Sequence, residues 1–395
     1  LRILFITIED VDGSRGSSTH IREKVGAFRQ RGHKVIVLGG SKRTLDLGEF
    51  NSIGSCRGKN GAVSYPRLLK AMQRLIRAIP KYAGNADIIY AMGPIATFAA
   101  VITKPLHRTM ILSEITSLEN EEARLKGGLS AAFSRRAFGL LQRIDACFSD
   151  RIAVITDRVK RYYQENYNVP ENSIMVLGVT ADPEKFRPVS APESLTLLRK
   201  RLNLSQTSFV ITFIGNLAPW QDFDLLLRGA GSVLTEQPDA VFLVIGDGAQ
   251  RQWLEREISR RSLANRVCLL GPVPHQDVVL YINLSDICVA VCKELTSGYS
   301  PMKLFEYLAC GKPVVATRVA GYEIVEKAGA GILVDEGRAD MFSSALLSLL
   351  RDKDLRQQCS ANALSYARQH LGWKQVIQQI ESSLTSNKDG LVKQE

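Results

Sequence analysis

The residues whose types and spacing best suggest chemistry lie in Ser300-Pro-Met-Lys-Leu-Phe-Glu-Tyr-Leu-Ala-Cys-Gly-Lys-Pro-Val-Val-Ala-Thr317. Ser300 is a good N-cap, and Pro301 with Met302 a good first turn, so a helix is expected to begin there. A helix start offers free N–H groups and the positive end of the macrodipole, which suits a diphosphate. Lys303 adds a full charge within the first turn. Glu306 is one helical step on, beside Lys303 on the helix surface. A carboxylate only accepts hydrogen bonds, so it suits a ribose diol better than a phosphate. The plainer reading is an amphipathic helix with a surface Lys–Glu pair. His20, at the start of the first expected helix, is a candidate for ligand contact, or else a capping or packing residue. His275 and His370 read as solvent or packing residues. Cys288 and Cys292 fall in a strand-like run and read as small buried apolar residues rather than ligands. Gly246-Asp-Gly248 reads as a tight turn after a strand. There is no GxGxxG after the first strand, which disfavours a nicotinamide site. His, Cys and paired Asp do not cluster at ligand spacing, so no metal or other cofactor is expected.

Elements that alternate between strand and helix must position these residues. Arg2–Ile8 reads as a strand, Glu9–Gly16 as a loop, Ser18–Arg31 as a helix stopped by Gly32, and His33–Leu38 as the next strand. That βαβ unit implies a parallel sheet. Asp46–Gly61 reads as a mobile loop and Pro66–Tyr82 as a basic amphipathic helix. Asp87–Met92, Met110–Glu114 and Ile152–Thr156 follow as strands. A second series begins with Val210–Gly215 and continues through Phe223–Leu234, Ala240–Gly246, Gln250–Arg261, Val267–Leu270, Ile287–Val291, Met302–Ala309 and Val314–Thr317. Gly331–Val334 and helices to about Leu384 complete it. Pro183, Pro188 and Pro192 mark the join. The expected organisation is two doubly wound α/β domains, 1–187 and 188–370, a crossing helix over 371–385 and a disordered tail over 386–395. Ligands of such sheets bind at the carboxyl ends of the strands.

No apolar run approaches the ~18–20 residues that a membrane span needs. Leu1-Arg2-Ile3 leads directly into a strand, without the charged-then-apolar pattern of a signal segment. The 7 cysteines include no CxxC pair, which points to a reducing, cytoplasmic compartment. Of the net charge of +11, residues 1–185 hold +10 (28 basic against 18 acidic) and the remainder +1 (23 against 22). The first half is therefore expected to meet an anionic partner. Arg67, Lys70, Arg74, Arg77 and Lys81 recur at three- and four-residue steps. Leu68, Leu69, Met72, Leu75, Ile76 and Ile79 are expected on the other side. That pattern suits either an ordinary packed helix with a solvated face or a surface that meets anionic lipid at the inner face of a membrane. The basic half lacks interleaved aromatics and any reading motif, so nucleic acid is not expected as a partner.

The segment from Ser300 to Thr317 resembles the donor-binding helix of the family 4 glycosyltransferases. Gly16-Ser-Ser-Thr-His20 with Gly32-His-Lys-Val35, Glu114-Ile-Thr-Ser-Leu-Glu-Asn-Glu121, Val176–Phe186, Gly215-Asn-Leu-Ala-Pro-Trp-Gln221, Ile245-Gly-Asp-Gly248, Leu270-Gly-Pro-Val273 and the terminal helix with Trp373 are similar to the same family, in order. The resemblance implies a GT-B fold: two Rossmann-like domains facing a cleft, with the last helix crossing back to the first. It implies a metal-independent, retaining transferase that takes a sugar from a nucleotide-sugar donor to a glycan, lipid-linked or small-molecule acceptor, as in cell-surface polysaccharide or glycoconjugate synthesis. Glu306 matches the ribose-holding glutamate, and Ser300, Pro301, Met302 and Lys303 the phosphate-facing helix start. Pro272 and Val273 match the base-contacting loop. Gly16 and Ser17 match the glycine-rich loop that faces the donor phosphate. Glu114 and Thr116 match the mouth of the acceptor side. Glu114, His20 and Lys303 are the candidate catalytic residues.

Three positions depart from the family pattern. Gly298 stands where a carboxylate is common, and Asn216 and Gln221 stand where basic residues commonly face the diphosphate. Each lost charge-assisted contact is worth about 1.5–3 kcal/mol. The alternative expectation is therefore a GT-B protein with impaired chemistry, acting as a nucleotide-sugar-binding or scaffold partner.

Overall fold

The computed structural model describes residues 1–13, 16–41, 49–56, 64–116, 118, 129–177, 180–295, 297–299 and 302–385. The chain divides into two compact units, Leu1–Gly178 with Trp373–Glu395, and Val179–Gly372.

In the first unit β1 (Arg2–Asp10) leads to α1 (Gly16–Gln30), β2 (Lys34–Gly40), β3 (Phe50–Ser52) and α2 (Tyr65–Ala83). There follow β4 (Ile88–Met92), α3 (Pro94–Thr103), β5 (Met110–Ile115), α4 (Leu129–Phe148), β6 (Arg151–Val154), α5 (Asp157–Tyr167) and β7 (Ile174–Val176). Helical crossovers between strands force parallel pairing, and the sheet runs β3-β2-β1-β4-β5-β6-β7. Alternate residues of β1 feed two cores. Ile3 and Phe5 pack with Val25, Phe28 and Tyr90, while Leu4 and Ile6 pack with Leu75, Ile79 and Ala99.

The second unit contains α6 (Pro192–Arg201), β8 (Val210–Ile214), α7 (Phe223–Glu236), β9 (Val241–Ile245), α8 (Arg251–Arg260), β10 (Val267–Gly271) and α9 (His275–Leu284). It continues with β11 (Ile287–Ala290), α10 (Met302–Ala309), β12 (Val314–Thr317), α11 (Ile324–Lys327), β13 (Gly331–Val334), α12 (Ala339–Arg351) and α13 (Lys353–His370). Its sheet is also parallel, in the order β10-β9-β8-β11-β12-β13. Strand order reverses between β1 and β4 in one sheet and between β8 and β11 in the other. At such a switch point the loops diverge and leave a crevice at the carboxyl ends.

The last helix, α14 (Trp373–Thr385), belongs to the first unit. Trp373, Val376, Ile377, Ile380 and Leu384 recur at helical spacing and are buried with Ile21, Val25 and Phe28 of α1. Glu381 receives Arg31 at 2.6 Å and His33 at 2.7 Å.

Several expectations change. The join lies at Gly178–Val179 rather than at 187–188. The prolyl stretch is packed onto the second unit, where Phe186 meets His275 edge-on and Asn283 bonds the backbone of Arg187 and Val189. Within Asp46–Gly61, Phe50–Ser52 forms a strand on β2, while 46–48 and 57–61 lie outside the described residues. Leu69 is 55% exposed, on the side of α2 opposite to the expected one. The tail over 386–395 lies outside the described residues.

Candidate active site

The first unit brings His20, Lys24, Tyr90 and Glu114 together near its switch point. Glu114 sits near the end of β5, within the strand expected over Met110–Glu114, and is 2% exposed, and half-buried Thr116 follows the strand. Lys24 donates to Glu114 Oε1 at 2.5 Å, Tyr90 donates to Oε2 at 2.9 Å, and His20 Nε2 lies 3.4 Å from Oε1. Burial alone would push the Glu114 carboxyl up. The Lys24 ammonium and His20 outweigh it and hold the group well below the usual carboxylate range. Burial pulls Lys24 down, with Glu114 opposing, and pushes the Tyr90 phenol well up. Burial and the neighbouring Lys24 also lower His20 from 6.5, against the pull of Glu114.

His20 is buried within α1, with its ring 5.1 Å from that of Trp373. Its Nδ1 has no hydrogen-bond partner among the described residues. Trp373 donates to Glu23 at 3.2 Å, so α14 fixes the face of α1 that carries His20. Gly16 and Ser17 form the first turn of α1 instead of the expected loop, and Ser17 donates to Glu9 at 3.3 Å. Lys24 and Tyr90 escaped the sequence reading. A signal existed for Lys24, which is four residues after His20 and so on the same helix face.

In the second unit the loop after β8 is stitched to the end of β11. Asp222 N–H bonds Val291 O, Lys293 N–H bonds Trp220 O, and Gln221 bridges Cys292. Lys303 reaches this point from α10, whose Leu304, Tyr307 and Leu308 form the buried stripe. Tyr307 OH accepts from Ile214 N–H at 3.0 Å and pins α10 to the end of β8. The Lys303 ammonium stands 4.3 Å from the centre of the Phe213 ring and 3.4 Å from Gln221 Oε1. Burial lowers its pKa, with Cys292 and Glu306 opposing. Gln221 is 5% exposed, and its oxygen also accepts from the Cys292 thiol at 3.3 Å, so it faces inward onto Lys303.

Asn216 is exposed just past β8. Gly298 has φ +67°, and a Cβ there would press on the carbonyl of Ala320 at 3.0 Å. The backbone itself thus disfavours the family's carboxylate at this position. Met302 is the first residue of α10, whereas Ser300 and Pro301 lie outside the described residues. Pro272 and Val273 form the turn into α9 and wall a groove of about 260 Å³ with Leu270, Tyr281 and Arg201. Glu306 is 9% exposed, and its Oε1 lies 3.3 Å from His275 Nε2. His275 is therefore a partner of the candidate ribose carboxylate and not merely a solvent or packing residue. Among the described residues no three His, Cys, Asp or Glu side chains form a metal-binding group.

Two family models match this chain: Glycosyltransferase Family 4 over residues 14–185 and Glycosyl transferases group 1 over residues 196–366. The D-inositol 3-phosphate glycosyltransferase of Thermobispora bispora is 27% identical over 268 residues, covering 65% of this chain and 60% of that protein. The chain thus spans less than two thirds of that relative's length. Anabaena HepE, solved with UDP and glucose, aligns with a TM-score of 0.76 at 18% identity over 98% of this chain and 100% of that one. Sucrose-phosphate synthase from Thermosynechococcus elongatus aligns with a TM-score of 0.78 at 16% identity over 98% and 99%. Two doubly wound parallel sheets, a last helix packed on the first of them and the two models in tandem make this chain a member of the family 4 glycosyltransferases of the GT-B fold.

Proposed function

We propose that the chain is a retaining glycosyltransferase that moves a sugar from a nucleotide-diphosphate sugar to a glycan, lipid-linked or small-molecule acceptor in cell-surface glycoconjugate synthesis. The observation that carries this reading is that α10 bears both Lys303, held at the switch point of the second sheet, and Glu306 three residues on, held by His275. Glu306 takes the ribose diol, the turn at Pro272 and Val273 takes the base, and Lys303 with the start of α10 takes the diphosphate. HepE binds UDP and glucose in its solved structure, which supports a nucleotide-sugar donor.

In the proposed reaction the bond from the sugar's anomeric carbon to phosphate oxygen breaks, and its electron pair leaves with the diphosphate. The acceptor oxygen attacks from the same face and passes its proton to a β-phosphate oxygen. Such a step needs orientation and stabilisation of the leaving charge rather than a protein nucleophile. Lys303 supplies positive charge there, and no metal takes part. His20 and Glu114 belong to the acceptor side. The enzyme works in the cytoplasm, at the inner face of the membrane, where α2 meets anionic lipid. The second reading, a donor-binding scaffold, draws on Gln221, whose side chain is turned onto Lys303 where the family carries a basic group.

Glu306→Ala tests the assignment. It is expected to weaken UDP or GDP binding about tenfold or more without unfolding the chain, since a hydrogen bond to a charged group is worth about 1.5–3 kcal/mol. Unchanged affinity for both nucleotides in calorimetry would place the ribose elsewhere. Nucleotide binding without any donor hydrolysis or transfer would favour the scaffold.

A further inference from the structure

We infer that His275 is the positioning residue for Glu306 and so sets how strictly this protein reads the ribose of its donor. The inference rests on the proposed placement of the ribose at Glu306. A carboxylate can only accept, so the 3.3 Å contact requires the proton on His275 Nε2. One acceptor site of Oε1 is then occupied, while Oε2 and the other lone pairs remain for a vicinal diol. A glutamate side chain has three free torsions, and a fixed donor at one oxygen selects the rotamer that presents the other.

His275 is itself fixed from two sides. It is the first residue of α9, directly after the turn that holds Pro272 and Val273. Its ring meets Phe186 edge-on at 5.5 Å, and Phe186 is 3% exposed. A single hydrogen bond therefore ties the turn assigned to the base to the carboxylate assigned to the sugar of the nucleoside. Losing the bond leaves Glu306 in place but unaimed. The diol must then order the carboxylate as it binds, and selectivity for the ribose weakens.

Calorimetry on the full chain with UDP, GDP and their 2′-deoxy and 3′-deoxy forms tests this. The native protein is expected to prefer the ribonucleotide about tenfold or more. His275→Phe keeps a ring against Phe186 but deletes the donor, and should cut that preference about three- to tenfold. His275→Gln, whose amide can donate, should restore most of it. A merely structural histidine would change thermal stability and leave the ratio intact. If His275→Phe keeps the full preference while Glu306→Gln loses it, His275 does not position Glu306. If Glu306→Gln keeps the preference too, the ribose assignment itself fails. Should His275→Phe not fold, His275→Ala and His275→Gln carry the comparison, and equal ratios in those two overturn the inference.

Discussion

Lys24 and Glu114 are 1% and 2% exposed in their side chains, and each is costly to bury alone. Breaking a buried pair by removing one partner typically costs about 3–5 kcal/mol, because the other charge is left uncompensated. Lys24→Met should therefore lose about that much in urea unfolding, while Lys24→Met with Glu114→Leu should recover most of it. Equal losses in single and double variants would assign the effect to packing instead of charge. His20 adds a pH dependence. Its folded pKa lies below the ordinary 6.5, so as pH falls the unfolded chain takes up this proton first. The stability tied to His20 is complete above 6.5 and declines as pH drops from there toward the folded value. Glu114 acts in the same direction at lower pH, its contribution being lost progressively as pH falls from 4.5 toward the depressed folded value. Melting temperature should fall between pH 7.5 and 5, and His20→Gln should flatten that slope. A slope unchanged in His20→Gln would assign it to other groups.

Helix α2 carries a packed face and an exposed basic face. Ala71, Leu75, Ile79 and Ala83 recur at four-residue steps and pack on β1 and β4, which fixes the helix on its sheet. Arg67, Lys70, Arg77 and Lys81 are exposed, whereas Arg74 also donates to the backbone of Ile53 at 3.0 Å. Leu69 at 55%, Ile102 at 51%, Leu140 at 61% and Phe148 at 56% are exposed on α2, α3 and α4 of the same unit. Each Lys or Arg near an anionic surface contributes about 1 kcal/mol, so the exposed basic residues of α2 are expected, under the proposed function, to localise the protein reversibly. In flotation it should bind anionic but not neutral vesicles at low salt. Lys70→Glu with Arg77→Glu, or raised salt, should abolish binding. Indifference to both vesicle types at low salt would leave α2 as an ordinary packed helix.

At the scale of the molecule, each unit has its own sheet and its own core, and the chain crosses between them twice. Helix α14 returns to α1, and Trp373 reaches both His20 and Glu23. The first residue of α14 therefore helps to set a candidate residue on α1. The proposed reaction draws its positive charge from Lys303 and the start of α10, so EDTA should leave donor hydrolysis or transfer unchanged. Activity abolished by EDTA and restored by magnesium or manganese would overturn that part of the proposal.

Much of this architecture was legible before any coordinates. Alternating buried strands and capped or amphipathic helices, such as β8, α7 and β9, carry their period in the sequence, and their boundaries moved by one or two residues. Helix α3 was not legible, because Pro94–Thr103 packs on both sides and lacks a polar stripe. Strand β3 was hidden in a Gly- and Ser-rich stretch, since three residues on a sheet edge leave almost no period. At the site, Lys303 and Glu306 were legible because both belong to one helix with fixed spacing. His275 and Glu306 are 31 residues apart, and Lys24 and Glu114 are 90. Local periodicity says nothing across such distances. The parallel order of the strands brings those groups together, and long-range packing alone determines which side chain each carboxylate meets.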